Sequence, residues 1–132
     1  MMILGTERDK RIAALRLPEP VLRLVHGEEV HPELSSWCRQ LAFSLEPEDF
    51  APAGLDLVPL WEGESSITGF FEGGDGKRVF IRYDVEYIND YTVVGGTIEA
   101  ALADVLNEYI DEDKIDEVAM ALGFSTEQLM GR

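Results

Sequence analysis

The amino-acid sequence predicts an α+β domain in which N-terminal and C-terminal helices pack on an antiparallel sheet. Apolar residues recur at helical spacing before residue 43 and again after residue 97, whereas residues 55–94 alternate like strands between glycine-rich turns. Runs of helix, then strands, then helices are typical of α+β folds rather than of wound parallel sheets. The length of 132 residues suits one domain spanning residues 1–132.

Prolines and glycines divide the N-terminal part of the chain. Pro18 ends the first predicted helix, because a proline disfavours helical angles in the residue before it. Gly27 is the expected C-cap of the second helix, and Pro32 lies near the start of the third. Residues 46–54 are predicted to form a loop that wraps the domain. The three predicted helices span residues 7–17, residues 19–26, and residues from about 32 to 42.

Four strands are predicted in the middle of the chain. Pro59 indicates an edge position or a strand end for the first, because proline donates no hydrogen bond to a ladder. Residues 73–76 (GGDG) supply the positive backbone angles of a tight hairpin turn. In the third strand, alternation separates Val79, Ile81 and Tyr83 from Phe80 and Arg82. The predicted strands span residues 55–61, 65–71, 78–83 and 91–94.

The C-terminal part has the clearest helix signals. Thr97 is the expected N-cap of an apolar-striped helix over residues 98–110, which we expect to pack on one face of the sheet. Asp113 is predicted to cap a further helix. Ser125 and Gln128 have the spacing of a capping box for a terminal helical turn.

The net charge of -15 is unevenly distributed. Residues 1–40 carry six basic and six acidic groups, so the whole excess lies in residues 41–132, with five basic and twenty acidic groups. Direct binding to nucleic acid is disfavoured, because phosphate contacts need Lys and Arg. An anionic membrane surface would repel the chain for the same reason. The charge suits a basic protein partner, although it also suits solubility alone.

Two groups of carboxylates are the candidate partner-binding residues. Asp84 and Glu86 are predicted to share one face of a strand, with Asp90 in the following turn. A solvated surface is the alternative interpretation for both groups, and acid–base or divalent-metal chemistry is a weaker alternative for the first. The candidate residues are Asp84, Glu86 and Asp90, together with Glu108, Asp111, Glu112 and Asp113 of the acidic run 108–117.

Enzyme, metal and cofactor motifs are not found in the sequence. His26 and His31 are five residues apart, and no third ligand completes a metal site. Cys38 lies on an apolar helical stripe, which favours packing over nucleophilic chemistry. The two glycine-rich stretches lack the spacing of phosphate-binding loops. We therefore expect a non-catalytic protein with no cofactor and no metal.

The sequence also predicts the compartment. It contains no run of roughly 18 apolar residues that could form a membrane-spanning helix. Charges follow the N-terminal MMILGT at once, unlike a secretory signal. A lone cysteine fits a reducing cytosol. We expect a cytoplasmic protein, with a monomer and a homodimer both left open.

Residues 57–110 resemble the SUKH superfamily, which includes bacterial immunity proteins and fungal Smi/Knr-type regulators. The resemblance lies in Trp61 with Gly63 before the strand ITGFF, in the return strand VFIRYD, and in the passage DYTVVGGTIEAALADVL from strand to helix. Leu17-Pro18 followed by Gly27 is similar to a leucine-proline and a later glycine in the family's N-terminal helix, with His26-Gly27 where asparagine-glycine is usual.

This resemblance implies an α+β domain without catalysis. Bacterial members neutralise polymorphic toxins, often nucleases, by binding them. A nuclease domain must be basic to hold nucleic acid, so the acidic part of this chain suits such a partner. The expected function is that of an immunity protein, and the alternative is a scaffold or regulatory interaction domain like the fungal members.

Overall fold

The computed structural model describes residues 1–38 and 51–131, and it has the predicted α+β fold. Helices precede and follow an antiparallel sheet, so the prediction of fold class is confirmed. The strands are β1 (Val58–Gly63), β2 (Ser66–Glu72), β3 (Arg78–Asp84) and β4 (Thr92–Gly95). The α-helices are α1 (Gly5–Ala13), α2 (Glu19–Val25), α3 (Ile98–Tyr109), α4 (Ile115–Ala121) and α5 (Thr126–Met130).

The sheet is a meander in the order β1-β2-β3-β4, with every neighbouring pair antiparallel. Glu64 and Ser65 form the tight β1–β2 connection, both with positive φ (52° and 64°). Gly73 closes the β2–β3 turn, because its N–H donates to the carbonyl of Lys77 at 2.8 Å. Pro59 lies in a strand at the end of the sheet, as predicted.

The two faces of the sheet pack against different parts of the chain. Phe70 and Phe80 belong to the larger core, which includes the buried stripe of α3 and buried residues of α1, α2 and α4. Ile81 and Tyr83 belong to a smaller core on the opposite face, together with Met2 and Leu57. The alternation predicted for the third strand is therefore confirmed. Helices cover one face, and N-terminal and loop residues cover the other.

N-cap predictions are confirmed at two of the three helices for which they were made. Thr97 Oγ1 accepts the N–H of Ala100 at 3.2 Å. Ser125 and Gln128 form the complete capping box of α5. Asp113 was the wrong cap for the next helix, because it lies inside a 3₁₀ turn (Glu112–Lys114) and α4 begins after Lys114 without a side-chain cap.

The third N-terminal helix differs from its prediction where it can be compared. Pro32–Trp37 is a 3₁₀ helix, which begins after His31, and the His31 ring accepts the N–H of Glu33 at 3.0 Å. The remainder of that predicted helix lies outside the described residues, as does most of the predicted 46–54 loop. The first strand also starts later than predicted and runs on to Gly63.

Candidate partner-binding surfaces

The acidic turn, defined as residues 108–117, connects α3 to α4 at the surface. Ile110 and Ile115 are buried, at 7% and 5% exposure, and they hold the two ends of the connection in the core. The polar residues between these two isoleucines lie at the surface. Glu108, Asp111, Glu112, Asp113, Asp116 and Glu117 are all exposed.

Glu117 and Asp116 of the acidic turn contact other side chains of the protein. Glu117 contacts Lys114 Nζ at 3.4 Å and His31 Nε2 at 2.8 Å. Because the Glu33 N–H occupies His31 Nδ1, the proton on Nε2 donates to Glu117. This hydrogen bond, with the nearby lysine, lowers the pKa of Glu117. Asp116 accepts the hydroxyl of Thr126.

Other carboxylates of the acidic turn remain available to a partner. Glu108, Asp111 and Asp113 have no ion pair with any residue in the described ranges, and all three are exposed. Charges held close together in this way produce a negative field that extends about a Debye length into solvent, roughly 8 Å at physiological ionic strength. The acidic turn is therefore a strongly negative part of the surface.

The first group of predicted site residues has a different geometry from the one expected. Asp84 is the last residue of β3, and its Oδ1 accepts the N–H of Glu86 at 2.8 Å. Glu86 therefore lies in a turn, and the prediction that Asp84 and Glu86 alternate onto one strand face is wrong. A second turn follows, since the N–H of Asp90 donates to the carbonyl of Tyr87 at 3.0 Å. The Asp84 carboxylate thus stabilises the turn that follows β3.

One contact places Asp84 at the same end of the sheet as the acidic turn. Asp84 is the cross-strand partner of Ser66, and Ser66 Oγ lies 3.1 Å from the hydroxyl of Tyr109 at the end of α3. Glu86 and Asp90 are exposed in the connection between β3 and β4. The predicted residues thus form two surface groups, the acidic turn and the 84–90 connection.

The sheet has one protected edge, which we call the closed edge: the outer side of β1. Every residue of β1 is buried. The Arg8 guanidinium donates to the carbonyls of Pro59 at 2.7 Å and Leu60 at 3.1 Å, and burial lowers the pKa of Arg8. Trp37 covers the end of the strand, because a Cβ added at Gly63 would lie 2.7 Å from Trp37 Nε1.

The other edge is accessible, and we call it the open edge: the outer side of β4. Thr92 and Val93 are exposed, and Val93 retains 59% of its surface. Tyr87 and Tyr91, just before the strand, are 65% and 37% exposed. Sequence reasoning predicted this strand but not its accessibility. The sequence feature that could have indicated an accessible edge is the β-branched run 92–94, which contains no charge and no proline.

A groove of about 480 Å³ lies between β4 and α3. Arg82 and Asp104 line this groove and form an ion pair, with Nε 2.8 Å from Oδ2. This hydrogen bond raises the pKa of Arg82, and Glu108 adds a smaller effect of the same sign. The groove is also lined by Val94, Ala100, Ala103 and Leu129.

Comparison with protein-family models, curated proteins and solved structures finds no match to the chain. No helix in the described ranges is long and apolar enough to span a membrane. Within residues 1–38 and 51–131, no group of three or more His, Cys, Asp or Glu side chains is placed to hold a metal ion. A functional proposal therefore depends on the surfaces and on the sequence.

Proposed function

We propose that this protein is a non-catalytic binding protein that holds a basic protein partner against its exposed carboxylates. The observation that carries the proposal is the acidic turn, in which two buried isoleucines fix a segment whose carboxylates face solvent. The protein has a net charge of -15 to support long-range attraction. Such a field speeds the capture of a positively charged partner.

Within this class, the proposed partner is a toxin domain, and the protein acts as an immunity protein in the cytoplasm. The resemblance of residues 57–110 to the SUKH superfamily supports this choice. A nuclease toxin suits the chemistry, because its active-site cleft must attract phosphates and is therefore basic. A carboxylate surface bound over that cleft would compete with nucleic acid for the same Lys and Arg side chains.

The first experiment identifies the partner. The tagged protein is incubated with lysate of its native host at low salt, and bound proteins are eluted with increasing salt and identified. We expect a basic protein that is released as salt rises and whose expression alone is toxic. A non-toxic partner would favour the scaffold or regulatory alternative, and a partner without basic character would contradict the proposal.

A matched pair of charge variants then tests the surface. Glu108→Lys, Asp111→Lys and Asp113→Lys are combined in one variant, and Asp9→Lys, Glu19→Lys and Glu29→Lys in a second. All six residues are exposed, and both variants have the same net charge. We expect the first variant to associate with the partner roughly 10-fold more slowly than the second, because local steering depends on where the charge lies. Equal association rates would show that the acidic turn is not the docking surface.

A further inference from the structure

The two edges of the sheet differ in how their backbone is protected. At the closed edge, Arg8 binds two carbonyls of β1, and Met2 forms a parallel bridge with Leu57 just before the strand. At the open edge, β4 pairs with β3 on one side. Within residues 1–38 and 51–131, no other strand pairs with its outer side.

Charged side chains and proline, two of the usual defences of an exposed strand edge, are missing from β4. Natural proteins protect such edges with lysine, proline or inward-pointing charges, because an unpaired edge recruits other strands. Residues 92–95 (TVVG) contain none of these. The strand is short, and a register shift lies between Phe80 and Ile81 in its partner, which limits an incoming strand to a few residues.

The chemistry beside the open edge favours a basic occupant. Asp90 is exposed just before β4, and Glu108 is exposed at the far end of the groove. Asp104 is neutralised by Arg82, so the remaining charge of this region is negative. The small side chain of Ala103 leaves room in the groove for alternate side chains of an added strand.

The same charge argues against a second copy of the chain as the occupant. Each copy carries a net charge of -15, so edge-to-edge pairing would bring two strongly acidic molecules together. Like-charge juxtaposition opposes such pairing. A segment with Lys or Arg side chains meets attraction at the same place.

We propose that the open edge receives an extended, Lys- or Arg-bearing segment of the protein partner, which adds a fifth strand beside β4. Main-chain hydrogen bonds to β4 give affinity, and alternate side chains of the segment enter the groove between β4 and α3. This inference rests on the proposed function, since it assumes a basic protein partner. It adds the mode of recognition: capture by strand addition, with the acidic turn beside it.

Two synthetic peptides of equal length and charge test the edge directly. One alternates lysine with threonine, and the other alternates lysine with proline, which cannot form a strand ladder. Amide hydrogen exchange of residues 92–95 is measured at low salt with each. We expect slower exchange, by roughly 10-fold or more, with the threonine peptide only. Equal exchange with both peptides, or no slowing with either, would overturn the inference.

Two variants test the edge with the captured partner. Val93→Lys places a lysine on the open edge, and Met120→Lys places the same charge on α4, where Met120 is 75% exposed. We expect Val93→Lys to weaken partner affinity at least about 10-fold more than Met120→Lys, since a lysine blocks an edge and repels a basic strand. Equal affinities would overturn strand addition and leave the proposed function standing.

A different experimental result would show that the proposed function is wrong. If no basic partner is recovered from lysate, the binding-protein proposal fails. The peptide experiment still decides whether the open edge accepts a basic strand. Residue-resolved exchange separates these outcomes, because it reports on residues 92–95 whatever protein is present.

Discussion

The closed and open edges of the sheet differ in how far side chains cover their backbone. Every residue of β1 is buried, and a guanidinium from α1 binds its carbonyls. β4 has no such cover among the described residues, and Val93 is 59% exposed. The two edges therefore differ in protection. Side chains cover the outer backbone of β1, and the described residues leave the outer backbone of β4 accessible.

The largest expected effect is at the closed edge, where Trp37→Ala should lower the free energy of unfolding by about 3–5 kcal/mol. Trp37 is 4% exposed, and its ring centroid lies 5.4 Å from that of Tyr109. Urea unfolding followed by circular dichroism measures the change. Tyr87→Ala is the control, because Tyr87 is an exposed aromatic residue near the open edge. Equal losses in the two variants would contradict the contrast between the edges.

The next largest loss of unfolding free energy is expected when the guanidinium of Arg8 is removed. Arg8→Met removes the donors to Pro59, to Leu60 and, at 3.1 Å, to the carbonyl of Val25. We expect a loss of about 2–3 kcal/mol, because charged hydrogen bonds are lost and the carbonyls stay buried. Arg11→Met, which removes two exposed ion pairs, with Glu7 and Glu72, should cost much less. The same unfolding titration compares them, and a similar loss would show that Arg8 does not seal the edge.

A smaller effect is expected beside the open edge, in the Arg82–Asp104 pair. The two side chains are 22% and 12% exposed, so their interaction is only partly screened by water. A double-mutant cycle with Arg82→Met and Asp104→Asn should give a coupling energy of about 1–2 kcal/mol. A coupling energy near zero would mean that this pair does not hold α3 against β3.

Alkaline pH should lower the stability of the protein through the buried Tyr83 of β3, which lies near Glu62 of β1. Burial raises the pKa of Tyr83, and the nearby Glu62 of β1, 1% exposed, adds to the shift. An unfolded tyrosine ionises near pH 10, at about its ordinary pKa. Neutral Tyr83 therefore contributes fully to the free energy of unfolding below about pH 10. This contribution is lost as pH rises toward the raised pKa of Tyr83.

The free energy of unfolding should fall by about 1.4 kcal/mol for each pH unit above pH 10. There the unfolded chain binds one proton fewer at Tyr83 than the folded protein does. Unfolding titrations between about pH 9 and pH 11 measure the slope. Tyr83→Phe should flatten it, because phenylalanine does not ionise. An unchanged slope in that variant would assign the alkaline loss to other groups.

The smallest effect on stability is expected for Val93→Lys, which should change the unfolding free energy by less than about 0.5 kcal/mol. The matched variant at the closed edge is Val58→Lys, because Val58 is 1% exposed. Burying an unpaired ammonium there should cost several-fold more. Comparable losses at the two positions would remove the distinction between the edges.

Local signals in the sequence predicted the elements well. The GGDG turn, the Thr97 cap and the Ser125–Gln128 capping box depend on residues within four positions of one another, and all three are present. Two predictions from equally short patterns were wrong. Asp84 caps its own turn and ends β3, and Asp113 lies inside a 3₁₀ turn. Short polar side chains can satisfy several alternative backbone groups, and spacing alone does not choose among them.

Features that depend on distant residues could not be predicted. Arg8 lies 51 residues from Pro59, and nothing in either local sequence indicates that the two meet. The open edge likewise depends on which strand ends the sheet and on what covers it. The acidic turn was found from sequence because six carboxylates lie within ten residues, three of them consecutive at positions 111–113.

The sealed edge of β1 also limits the stoichiometry of any complex that forms along the sheet. Continuous growth requires each molecule to offer one free edge to the next and to accept a neighbour on the other. Here Arg8 binds carbonyls of β1, and the N-terminal segment pairs with Leu57 just before the strand. Strand addition at β4 therefore stops after one event, which favours a closed one-to-one complex over a filament.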